Sequence, residues 1–222
     1  ADLAAAIGAL PGIEVEGLFT HFSRADEMEK TSAMTQLGRY LHFTELLKAR
    51  GIEIPIKHCS NSAGIIDLPQ ANLNCVRAGI TMYGMYPSEE VQKDKVPLKP
   101  ALGLKSFVTY VKELGPGEEI SYGGTYVTER TMRIATVAVG YGDGYPRSLS
   151  NCGYVLICGK RARILGRVCM DQIMVDVTDI LEADVDTPVT LIGKDGDEEI
   201  TMEHLAELCG GFHYEMVCDI GK

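Results

Sequence analysis

Apolar and polar positions change rhythm along this chain. Residues 1–10 are apolar with a lone Asp2 and predict the end of a helix, stopped by Pro11 and Gly12. Residues 13–20 form a short apolar run that predicts a strand ending at His21. A helix is predicted from Thr31 or Ser32, with Met34, Leu37, Leu41, Phe43, Leu46 and Leu47 near the helical period and Gly51 as its stop. Residues 54–57 predict a second strand and residues 61–68 a short helix. Residues 74–76 and 80–83 predict further strand-like stretches. Strand and helix in alternation imply parallel βαβ units.

The rhythm then breaks. Residues 87–100 are charged and proline-bearing, which predicts a linker. Beyond it, short β-branched runs at 106–111, 132–139, 154–157, 161–165, 173–177 and 188–192 alternate with glycine turns. One late helix is expected near 202–209. The expected fold class is therefore α/β, as part of a β/α barrel over residues 1–98, followed by a mostly-β domain over residues 99–222.

Composition narrows the function classes. The 222 residues are 45% hydrophobic, enough for a real core. The net charge of −10 argues against a nucleic-acid or anionic-membrane partner, which would need clustered Lys and Arg. No apolar run approaches the roughly 18–20 residues that span a bilayer. Residues 1–10 lack the basic start of a signal peptide. Seven cysteines, an odd count with no CxxC pair, predict free thiols in a reducing compartment and no structural zinc. A cytoplasmic protein is the expectation.

The candidate chemistry sits at strand ends. His21, His58 and Arg77 each follow a predicted strand, and the carboxyl ends of parallel strands form the catalytic face of β/α barrels. Any one of these histidines reads equally well as a core residue or a cap; three polar groups in succession favour a site. Ser62, at a helix start, and the backbone at Gly79 suit an anion, although an N-cap and a turn explain them alone. Tyr122 lies in a glycine-bearing loop, and a phenol is a poor base unless a cationic neighbour lowers its pKa. Residues 138–147 are glycine-dense around Tyr141 and Arg147, and residues 166–172 place Arg167 and Asp171 beside an apolar strand.

Six stretches, taken together, resemble one family. They are Gly17-Leu18-Phe19-Thr20-His21-Phe22; His58-x-x-Asn61-Ser62; Val76-Arg77-x-Gly79-Ile80-x-Met82-Tyr83-Gly84; Ser121-Tyr122-Gly123; Val139-Gly140-Tyr141-x-Asp143-Gly144-Tyr145-x-Arg147; and Gly166-x-Val168-Cys169-Met170-Asp171-Gln172. Their types and order resemble alanine racemase. The resemblance implies an isomerase dependent on pyridoxal phosphate, with a cofactor-binding barrel and a β-rich C-terminal domain. It also implies a homodimer with shared active sites. The reaction implied is the interconversion of L- and D-alanine by two bases, a lysine and a tyrosine, supplying D-alanine for peptidoglycan.

The resemblance further implies individual roles. Arg77 would hydrogen-bond the pyridine nitrogen. Ser62, Gly79 and Ile80 would hold the phosphate, the last two through backbone N–H, and Asn61 and His21 would also belong to the cofactor-binding set. Tyr122 would be the second base, linked through His21 to Arg77. Met170 and Asp171 would face the substrate, and Asp26, Tyr141, Arg147 and Arg167 would line the entry passage. The family's Schiff-base lysine and carboxylate-binding arginine find no counterpart from Ala1 onward, so the chain is expected to be a C-terminal part, inactive alone. The family's late phosphate-contacting tyrosine is also unmatched; the chain stops short of it or Lys222 stands in its place. A serine or broad-specificity racemase, a barrel-type decarboxylase of basic amino acids and a non-catalytic dimerisation or cofactor-binding module are the alternatives.

Overall fold

A computed structural model describes residues 1–220. The Lys222 expectation therefore lies outside the described residues. The chain divides into two compact units, Ala1–Ala101 and Leu102–Lys222.

The first unit opens with helix α1 (Asp2–Gly8), which buries none of its residues, followed by strand β1 (Gly17–Phe19). Helix α2 (Thr31–Lys48) leads to strand β2 (Ile56–His58), which pairs with β1 in parallel. Helix α3 (Ser62–Asp67) follows, and a parallel bridge joins His58 to Cys75. Asn74 secures this third segment, because its side chain accepts from Lys57 N (2.8 Å) and donates to Pro55 O (2.6 Å).

Packing modifies several expectations. The strand predicted over residues 13–20 shortens to Gly17–Phe19. Helix α2 buries Ala33, Leu37, Tyr40 and Leu47, whereas Met34, Leu41 and Leu46 stay exposed. The buried stripe therefore includes a tyrosine. Its hydroxyl donates to Leu18 O at 2.8 Å, and burial pushes its pKa up to about 12. Ile80–Tyr83 is a 3₁₀ turn rather than a strand. Residues 87–100 are not a loose linker: Val91 is buried in the same cluster as Phe22, Leu37 and Ile66. The single hydroxyl proton of Tyr86 is also shared between Lys93 O (3.2 Å) and Val96 O (3.0 Å).

The second unit is mostly β. Strands β3 (Leu104–Leu114), β4 (Glu119–Ile120), β5 (Tyr126–Val127), β6 (Met132–Val137), β7 (Tyr154–Ile157), β8 (Lys160–Arg163), β9 (Ile173–Asp176), β10 (Pro188–Asp195) and β11 (Glu198–Ile200) precede helices α4 (Met202–Cys209) and α5 (His213–Asp219). Six strands run in the order β8-β7-β10-β3-β6-β9 with antiparallel pairing throughout. An antiparallel bridge from Ile164 to Val175 brings the two ends of that order together. Exposed sheet edges invite unwanted pairing, and this bridge partly covers them. Buried in this unit are Val108, Ile157, Ile164, Ile173, Val175 and Leu191, each 0% exposed, while Ile134 packs with Ile120, Met132 and Leu165 in a separate cluster. The β4–β5 hairpin, β11 and α5 were not foreseen. The hairpin strands have two residues each, too short for a periodicity to register.

Candidate active site

In the first unit, the site grows from the ends of β1 and β2. Arg77 follows the bridge at Cys75, and its backbone N–H donates to Ser60 O (2.9 Å), extending the parallel ladder. Its guanidinium reaches across both strand ends. Nη1 donates to His58 Nδ1 (2.6 Å) and His58 O (3.2 Å). Nη2 donates to Thr20 O (3.0 Å) and Cys59 O (3.1 Å) and faces His21 Nδ1 at 3.4 Å. Among the described residues, the Nε–H takes no partner. Phe19 lies 5.3 Å below the guanidinium and stacks on His58.

This geometry sets a tautomer. A guanidinium only donates, so the Nδ1 of His58 must accept and the imidazole is neutral with its proton on Nε2. Burial, and then the charge of Arg77, lower the His58 pKa.

Beside this lies a cup of donors. Ser62 Oγ accepts from Gly79 N (3.0 Å) and Thr81 N (3.4 Å) and sits 3.2 Å from Thr81 Oγ1. The N–H groups of Gly79 and Thr81 and the Thr81 hydroxyl thus gather around Ser62 Oγ, a cluster of donors suited to an anion. Asn61 caps α3, its Oδ1 accepting from Gly64 N at 3.1 Å. That bond fixes where Ser62 begins the helix, while Ile80 is buried at the start of its turn.

Asp26 lies on the segment between β1 and α2, partly buried. Its carbonyl accepts from Ser88 Oγ (2.6 Å). The neighbouring Lys30 forms an ion pair with Asp67 (2.7 Å), whose side chain is fully buried. Neither the pairing of His58 with Arg77 nor this ion pair is evident from sequence spacing. A carboxylate inside the apolar run of α3 was the available signal for the latter.

In the second unit, three loops come together. Tyr122 stands on the β4–β5 turn, 71% exposed, between Ser121 (φ 65°) and Gly123 (φ 74°). Ser121 Oγ donates to Arg167 O (2.7 Å), and a Cβ on Gly123 would stand 3.1 Å from the Arg167 guanidinium. Tyr141 N donates to Cys169 O (2.9 Å) and Gly142 N to Met170 O (2.7 Å). A Cβ on Gly140 would come within 2.3 Å of Cys169 O, so only glycine permits this approach. Tyr122, Tyr141, Arg167, Met170 and Asp171 are thereby gathered on adjoining exposed loops, with Arg147 farther along the glycine-dense one.

A parallel β/α unit with cationic and hydroxyl groups at its strand ends, followed by a mostly antiparallel β unit, defines the class as a two-unit α/β-then-β protein. Comparison with known proteins narrows this. Residues 1–87 match the alanine racemase N-terminal domain and residues 101–222 the alanine racemase C-terminal domain. An alanine racemase of Clostridium perfringens is 49% identical over 96% of this chain and 55% of its own length. One from Methanococcus maripaludis is 48% identical over 96% of this chain and 57% of its own. Among solved structures, the Clostridium difficile alanine racemase in complex with cycloserine superposes with a TM-score of 0.93 at 42% identity, covering 99% of this chain and 57% of that one. The Bacillus anthracis enzyme with bound L-Ala-P gives 0.90 at 41%, covering 98% and 56%. The chain belongs to the alanine racemase family. It spans about half the length of the curated relatives it matches.

Proposed function

We propose that this chain is the part of a pyridoxal-phosphate-dependent alanine racemase that carries the tyrosine base, the pyridine-binding arginine and part of the phosphate cup. Residues 1–98 would be barrel and residues 99–222 the β-rich domain. The observation that carries the reading is Arg77, a guanidinium fixed at four points with one N–H left over.

The donor sets fit the cofactor. Ser62 and the N–H groups of Gly79 and Ile80 would hold its phosphate, with Asn61 setting the helix start that presents them. The spare Nε–H of Arg77 would meet the ring nitrogen. When bound, pyridoxal phosphate draws electron density from the α-carbon and makes its proton removable. A guanidinium does not give up its proton, so Arg77 would leave the ring nitrogen unprotonated and would moderate that withdrawal. Racemisation requires a proton to leave one face and return on the other. Tyr122 would act on one face, through its phenolic oxygen, and the family's covalent lysine on the opposite one. His21 would link Tyr122 to Arg77 by hydrogen bonds in an assembled homodimer whose subunits share active sites. Met170 and Asp171 would contact the amino-acid substrate, and Asp26, Tyr141, Arg147 and Arg167 would line its approach. The product D-alanine would serve peptidoglycan in the cytoplasm, and the chain alone would be inactive.

The test is Tyr122→Phe in the intact protein. Enantiomers have equal free energy, so kcat/KM must fall equally in both directions. The asymmetry appears in solvent deuterium: the enantiomer deprotonated by the other base keeps exchanging its α-proton, and the one served by Tyr122 does not. Undiminished racemisation, or equal exchange from both enantiomers, overturns the role.

A further inference from the structure

We infer that Lys30 is a positioning residue for Asp26, acting as a buried clamp on the segment that leads from β1 to α2. The inference rests on the reading of Asp26 as part of the substrate's approach and goes beyond it by assigning what holds that residue in place.

The clamp is built from complete valences. An ammonium has three donors. Those of Lys30 go to Ala25 O (2.8 Å), Glu27 O (2.5 Å) and Asp67 Oδ2 (2.7 Å). The two carbonyls are those immediately before and after Asp26. The Asp67 side chain is 0% exposed, and its second oxygen accepts from Gln92 N (3.2 Å). A carboxylate is stable at such depth only when paired and hydrogen-bonded, and here both oxygens are engaged. Asp67 belongs to α3, the helix that begins at Asn61 and Ser62. The clamp thus ties the backbone around Asp26 to the element that carries the phosphate cup.

Neighbouring bonds follow the same plan. Ser88 Oγ donates to Asp26 O (2.6 Å), and Met28 N donates to Glu90 Oε2 (2.5 Å). Four successive residues, Ala25 to Met28, are therefore held at the backbone by the side chains of Lys30, Ser88 and Glu90. The Asp26 side chain itself is left out of these bonds, as a residue presented to a ligand would be. Arginine cannot replace Lys30, because a planar fork does not match three acceptors grouped around one nitrogen.

The experiment uses the intact protein with pyridoxal phosphate. Removing Lys30 alone would strand Asp67, so the pair is replaced together as Lys30→Met with Asp67→Leu, which keeps the interior apolar. The expected result is at least about tenfold faster amide exchange over residues 25–28. Alongside it, kcat/KM for alanine falls about tenfold and kcat stays within about twofold, as expected when substrate approach rather than chemistry is impaired. Asp26→Asn should cause a similar loss of kcat/KM, and combining it with the paired replacement should add little, because both act through one side chain. Unchanged exchange overturns the clamp. Full additivity with Asp26→Asn, or an unaffected kcat/KM in the paired variant, overturns positioning. A parent protein with no racemase activity would refute the proposed function instead, and the exchange measurement would still decide whether Lys30 holds the segment.

Discussion

Replacing Arg77 by methionine keeps the aliphatic stem and deletes every donor. Three backbone carbonyls, those of Thr20, His58 and Cys59, lose a charged partner, and His58 Nδ1 loses its donor. Hydrogen bonds to charged groups contribute about 1.5–3 kcal/mol each. The site is only partly buried, so water re-satisfies some acceptors, and the expected loss is about 3 kcal/mol rather than the sum. In a protein of this size that is a fall of about 6–12 °C in Tm.

The same change has a pH signature. Burial, and then Arg77, hold the folded-state pKa of His58 below its ordinary value of 6.5. The unfolded chain therefore binds a proton first. His58 withholds no stability above pH 6.5 and costs the folded state progressively as pH falls below it. Arg77→Met removes the second cause, so the pKa rises toward 6.5 and the acid-side loss shrinks. The difference between parent and variant should be larger at pH 7.5 than near pH 5. Denaturant unfolding at the two pH values and an NMR titration of His58 measure both effects. A variant as stable as the parent, or a His58 pKa that moves down, would refute the reasoning.

Other outcomes follow from single sites. Ser60 is fully buried and its hydroxyl has no hydrogen-bond partner among the described residues, so Ser60→Ala should be neutral or stabilise by about 1 kcal/mol in urea unfolding. A clear loss would show that the hydroxyl is satisfied. Gly84 has φ 78°, and a Cβ there would lie 1.8 Å from Lys99 O. Gly84→Ala should therefore cost more than about 2 kcal/mol by the same assay. Tyr145 is 1% exposed with its hydroxyl unpartnered among the described residues, and burial pushes its pKa up. Tyr145→Phe should leave Tm unchanged or higher in a thermal melt.

Much of the candidate site was legible because polar residues at the ends of apolar runs break the pattern: His21, His58 and Arg77 all do so. The α/β-then-β order was legible for a similar reason, as period and composition change near residue 100. The stripe of α2 was misread in part. Apolar spacing chose Met34, Leu41 and Leu46, but packing selected Ala33 and Tyr40, whose polar tip found a carbonyl on β1.

What the sequence determined by itself was therefore local and ordinal: which segments are strands or helices, and which side chains follow them. The tertiary structure decided which of those side chains meet. Arg77 joins His58 across 19 positions and Thr20 across 57, and Lys30 joins Asp67 across 37. Periodicity reports on neighbours a few residues apart, so it carries no information at such separations. Only the pairing of β1 with β2 and the packing of α3 bring these groups within hydrogen-bond distance, where burial makes each pairing matter.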